Sequence, residues 1–165
     1  MRFQRKKPDR RGVTLVEAAI VLLVFLMLVL GMLDLGLGVL QYNSVSHAAR
    51  QGARQAIVHG WMAPTKPPWY GGPWGPPGSY PGANPYTVNG ANSSDWIVKA
   101  LQDGGALAGL DPNTVTIQVQ WPDGSNNPDN RVSVTVSSSY SPIMTWIFGN
   151  HPITLSATST MLIAH

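Results

Sequence analysis

Hydrophobic and polar positions divide the chain into four stretches. From Val13 to about Leu40 the residues are apolar apart from Glu17, Asp34 and a few glycines, and the sixteen from Ala18 to Leu33 carry no charge. About 20 apolar residues in a helix cross a bilayer, so this stretch predicts one membrane span over about 13–40. From Asp34 onward the run thins into a stripe. Leu35, Val39, Tyr42, Val45, Ala49, Gly52 or Ala53, and Ala56 recur every three or four positions, while Gln41, Asn43, Arg50, Gln51, Arg54 and Gln55 fall off it. That period belongs to an amphipathic helix. One helix over 13–59 follows, roughly 70 Å long, with Gly60 as its cap. Its first half suits lipid or a bundle of neighbouring helices; its second half suits one side of a soluble domain.

The pattern then breaks. Eight prolines and six aromatics fall between Gly60 and Gly90, which predicts a long Pro/Gly/aromatic loop over 60–92. Periodicity returns in 93–165. Ser94-Asp95 is a helix N-cap pair, with Trp96, Ile97, Ala100 and Leu101 on one face and Gly104-Gly105 at the end. Thr114 to Trp121 alternates with Val115, Ile117, Val119 and Trp121 on one side, and Arg131 to Tyr140 does so with Val132, Val134 and Val136. Such alternation is that of half-buried strands, and the turn residues of 122–130 make these two an antiparallel hairpin. A third strand is expected from about Ile153 to Ile163, with Ile153, Leu155, Ala157, Ser159 and Met161 inward. The predicted fold is α+β: a long N-terminal helix packed on a small three-stranded antiparallel sheet, plus one short helix.

Charge changes the picture at one end. The net charge of +3 comes from a leader, because six of the eleven Lys and Arg lie within residues 1–11. Without residues 1–12, five basic and seven acidic side chains remain, a net of −2. The basic character is therefore a terminal tag and gives no support to a nucleic-acid partner. By the positive-inside rule the leader is cytoplasmic and the C-terminal domain extracytoplasmic. The apolar run is too long for a cleaved secretory signal, so a retained, lipid-contacting anchor is expected. With no cysteine, disulfides, thiolate metal sites and cysteine nucleophiles are excluded.

Candidate chemistry is sparse. A carboxylate at Glu17, near the start of an apolar helix, costs a few kcal/mol in lipid unless it finds a cation. Two readings stand. If the chain were cut after Gly12, the new α-amino group of Val13 would meet Glu17 of its own or a neighbouring chain and fix the register of packed helices. Alternatively, Glu17 sits among headgroups near the positive helix start. Asp34 reads as a residue at the far membrane boundary. Gly31, Gly36 and Gly38 permit close helix contact or reflect the tolerance of membrane helices for glycine. The histidines His47, His59, His151 and His165 have no metal-ligand spacing, and no phosphate loop or nucleophile elbow is present. An enzyme, a cofactor and a metal are accordingly not expected. Trp69, Tyr70, Trp74 and Tyr80, with Trp61 and Tyr86, form a possible binding loop; the alternative is that they fold back over the domain. A single-span, membrane-anchored extracytoplasmic binding module is thus a second reading of the whole chain.

Gly12-Val13-Thr14-Leu15-Val16-Glu17 resembles a class III prepilin-peptidase site: basic residues, Gly, the cut, then Glu at the fifth mature position. Gly31-Met32-Leu33-Asp34-Leu35-Gly36, followed by Ala48-Ala49-Arg50-Gln51-Gly52-Ala53-Arg54, resembles the TadE-like family of the tight-adherence (Flp) pilus system over residues 10–54. Tyr140-Ser141-Pro142-Ile143 is similar to that family's tail. Ala18 stands where the family commonly has Phe, and Leu23 where it often has Pro. The resemblance implies a pilin-like minor pilin or pseudopilin in the bacterial inner membrane. It would be processed at Gly12/Val13 by a prepilin peptidase. It would then assemble with other pilin subunits and the assembly platform, using Glu17 for register and Asp34, Arg50 and Arg54 for helix packing.

Overall fold

The computed structural model describes residues 11–58, 84–144 and 151–164. The basic leader up to residue 10 and the loop aromatics Trp61, Trp69, Tyr70, Trp74 and Tyr80 lie outside the described residues, as do His59 and Gly60. Helix α1 runs without a break over Arg11–Ile57. It is followed by β1 (Tyr86–Asn89), α2 (Trp96–Asp103), β2 (Thr116–Gln120), β3 (Arg131–Tyr140) and β4 (Ile153–Leu162).

The sheet has four strands, not three, in the order β1-β2-β3-β4, all neighbours antiparallel. The additional strand is β1, inside the stretch that its prolines mark as loop. Four residues are too short for an alternation to register. Their strand character comes from pairing with β2, Tyr86 opposite Val119 and Asn89 opposite Thr116. Tyr86 is therefore a half-buried strand residue whose hydroxyl bonds the Asp95 carboxylate, not a free loop aromatic. The same Asp95 caps α2 by accepting from the amide of Ile97 at 3.1 Å.

Alternation in β2 and β3 sorts the side chains as the pattern requires. Val115, Ile117, Val119, Trp121, Val132, Val134 and Val136 are buried. The opposite face is mostly hydroxyl and amide, apart from Arg131 and Leu162 at one end: Thr135 and Thr158 bond across β3 and β4 at 2.8 Å, and Thr160 donates to Ser133 at 3.1 Å. β4 presents Leu155, Ala157, Ser159 and Met161, all half-buried, toward the helix side, while Ile153 stays open to solvent. α1 lies across β3 and β4, with α2 beside it, and the core forms between them.

What fits the helix to the sheet is side-chain size. Val45, Ala48, Ala49, Ala53 and Ala56 are all buried, at a spacing that keeps them on one face. A Cβ built on Gly52 would stand 3.0 Å from Cγ1 of Val134, tighter than ordinary packing. The Ala/Gly stripe thus lets the helix backbone come down onto the valines of β3. At the distal end the carbonyl of Ile57, one of the helix's last unpaired acceptors, takes the amide of Ala164 at 3.1 Å.

Candidate functional site

α1 has two environments, and they meet at Asp34. Below it, from Val13 to Leu28, every residue of the helix is exposed. Above it, the small-residue stripe is buried. Asp34 itself is only 9% exposed. Its carboxylate receives two consecutive backbone amides from the turn after β3: Ile143 to Oδ1 at 2.7 Å and Met144 to Oδ2 at 2.9 Å. The Tyr140 hydroxyl donates to the Asp34 carbonyl at 3.0 Å and lies 3.4 Å from Oδ1. Burial pushes the Tyr140 phenol above its ordinary value, and the neighbouring Asp34 carboxylate adds to the rise. A carboxylate accepting backbone N–H groups makes stronger bonds than a neutral acceptor. Asp34 is therefore the clasp by which the membrane-side helix holds the end of β3.

Two neighbours reinforce it. Gly38, one turn up, lets the Tyr140 ring approach: a Cβ there would lie 3.6 Å from Cε1. Gln41 donates to the Ser138 hydroxyl at 3.1 Å, and to the Ser139 carbonyl at 3.4 Å. Asp34 and Gln41 are seven residues apart, two helical turns, so both face the strand. Clasp and distal tie lie 23 residues apart, about 35 Å of helix.

Beside the clasp is an open groove of about 780 Å³. Leu35, Val39 and Tyr42 form one wall and Tyr140, Ile153 and Leu155 the other, with Gly31 and Gly38 adding no side chain between them. His151 also lines it. Among the described residues there is no cluster of His, Asp or Glu able to hold a metal ion.

The other residues singled out from the sequence are placed as follows. Gly12 and Val13 sit in the first turn of α1 and are exposed. Glu17 is exposed four residues on, on the face that Val13 shares. Arg50 is exposed and turns back one turn, donating from Nε to the Ser46 carbonyl at 3.3 Å and from Nη2 to its hydroxyl at 3.1 Å. Arg54 is exposed too. In this segment the packing is done by the small residues between the two arginines. The Asp34 partners were not evident in the sequence. The one signal was that Asp34 and the 140–143 segment both carry the same family resemblance.

Residues 12–54 match the family model described as TadE-like protein. The matched segment holds the apolar span, Asp34 and the small-residue stripe. No curated protein and no solved structure matches the chain.

Proposed function

We propose that the chain is a TadE-like minor pilin or pseudopilin, anchored in the bacterial inner membrane by the lower half of α1. The leader is cytoplasmic, and the sheet domain stands on the extracytoplasmic side. A prepilin peptidase cuts between Gly12 and Val13. The shortened helix then packs with other pilin subunits at the assembly platform, for pilus biogenesis, adhesion or secretion. The observation that carries this reading is the single unbroken helix. It is bare and apolar over a membrane's thickness, then clasped to a sheet at Asp34, within the segment that matches the family. An anchor serving only to tether a domain needs no rigid continuation. A subunit that positions its domain by its helix does.

In this mechanism Glu17 supplies the carboxylate that the new α-amino group of Val13 meets, so that helices settle at one axial register. Asp34 and the distal tie at Ile57 pass that register on to the sheet.

Intact-mass measurement of the protein from its native membrane tests the reading. Loss of residues 1–12 is expected; retention in a host with an active prepilin peptidase overturns the processing step. Glu17→Ala is expected to leave membrane insertion intact and to reduce incorporation into assemblies, read by crosslinking to partner subunits. Full incorporation of that variant removes the register role.

A further inference from the structure

We infer that the groove beside Asp34 holds an acyl chain of an outer-leaflet phospholipid. The inference rests on the membrane reading of α1 and adds a lipid site within the extracytoplasmic domain itself.

Height along the helix is the first argument. Gly31, at the lower end of the groove, is 18 residues beyond Val13, about 27 Å of rise, and Tyr42, at the upper end, is 29 residues beyond it, about 44 Å. A hydrocarbon core is about 30 Å thick, and about 40–45 Å with both headgroup layers. With Val13 at the cytoplasmic surface of the inner headgroup layer, the hydrocarbon begins about 5–7 Å higher, near Glu17, and the groove starts in the outer end of the acyl region and rises through the outer headgroup layer. Its two tyrosines, Tyr42 and Tyr140, suit that layer, where amphipathic rings gather.

Continuity is the second. The lower mouth of the groove runs directly into the bare apolar face of α1, the surface the bilayer covers. Leu35 and Val39 are 73% and 60% exposed, and Ile153 across from them is 52% exposed. The lining is almost wholly apolar, because the one carboxylate near it, Asp34, has both oxygens turned to the 143–144 amides. A chain entering from the membrane meets few polar groups: the hydroxyls of Tyr42 and Tyr140, the latter already bonded to Asp34, and the exposed ring of His151. The acyl chain covers apolar surface that would otherwise meet water or headgroups.

The chain has no cysteine, so single-cysteine variants of the full-length protein can each carry one bimane fluorophore. Phe25→Cys reports on the span, Val39→Cys and Ile153→Cys on the groove, and Thr158→Cys on the outward sheet face. Each is reconstituted in phosphatidylethanolamine/phosphatidylglycerol vesicles with brominated acyl chains, and quenching is compared with that by aqueous iodide. Acyl-chain quenching at Val39 and Ile153 of at least half that at Phe25, with iodide quenching alone at Thr158, is expected. If Phe25 is quenched by lipid but Val39 and Ile153 only by iodide, the span stands and the lipid site is overturned. Shielding of the groove from both quenchers also overturns it. Relief of that shielding on dilution of protein in lipid identifies a second copy as the occupant; persistence identifies the chain's own covering. Iodide quenching at Phe25 would instead overturn the membrane reading, and the lipid site with it.

Discussion

The two halves of α1 both carry apolar residues, on all sides in the lower half and as a stripe in the upper, and these are opposite in what they touch. In the lower half Leu22, Leu23, Val24, Phe25 and Leu26 are each at least half exposed. In the upper half Val45, Ala48 and Ala53 have no exposed surface. Side-chain size separates them. A fluid solvent such as lipid accepts any shape, so the lower half carries large residues on all sides. A sheet is a fixed surface, and the upper half meets it with alanine and glycine so that backbone and strand can close to packing distance. In one continuous helix, large and apolar marks the side without a fixed partner, and small marks the side with one.

The strongest way to break that division is at its seam. Asp34→Ala leaves the amides of Ile143 and Met144 without their acceptor, while the Tyr140 hydroxyl keeps the backbone carbonyl of residue 34. Bonds to a charged group are worth about 1.5–3 kcal/mol each, and buried donors left alone add a penalty. The domain should lose about 3 kcal/mol, measured by denaturant-dependent proteolysis in detergent micelles, with Asp34→Asn recovering part of it. An unchanged midpoint for Asp34→Ala would mean that the halves are not joined there.

Glycine substitutions sharpen the contrast further. Gly52→Ala places a methyl 3.0 Å from Val134, and overpacking of this kind costs about 1–3 kcal/mol. Gly36→Ala meets nothing within 4 Å and removes a poor helix former, so it should be neutral or stabilising by up to about 1 kcal/mol. Equal effects at the two sites, in the same assay, would refute close packing as the reason for the small stripe.

The smallest expected effect lies away from the helix. Arg131 forms a pair with Asp123 at 2.6 Å on the exposed surface, and its side-chain hydrogen bond is the main cause holding the Asp123 carboxyl down at about 2, from 3.8. A lowered carboxylate stabilises the fold above its unfolded value and loses that contribution as pH falls through the folded one. The loss therefore runs from about pH 4 down to about 2. Asp123→Asn should flatten that part of an acid titration slightly, and should leave the midpoint near neutrality almost unmoved, as solvent-exposed pairs contribute little.

Much of the fold was legible because its signals are local. The stripe from Val45 to Ala56 announces a helix face, and Val115 to Trp121 and Val132 to Val136 announce strands, since each needs only the spacing of its own residues. Asp95 was legible as a cap for the same reason. β1 was not, because Tyr86–Asn89 is strand only by virtue of pairing with β2. Asp34 was visible as a carboxylate at the end of an apolar run, and so read as a boundary residue. Its amide partners are 109 and 110 residues away in sequence, beyond the reach of any periodicity. Arg50 and Arg54 stood out by charge and are exposed, while the contacts of this segment with the sheet come from the small residues between and beside them.

By itself, the sequence determined a basic end followed by one long apolar-then-amphipathic helix, a sheet with one buried face, and the family resemblance of residues 12–54, because these follow from composition, spacing and local motif. Tertiary structure alone decided that the sheet has four strands, that Asp34 clasps the turn at 143–144, that Gly52 seats against Val134, and that an apolar groove opens at the membrane side. Each of these depends on surfaces brought together from separate parts of the chain, up to 110 residues apart at Asp34. Their energies come from distances that exist only once the helix has settled on the sheet.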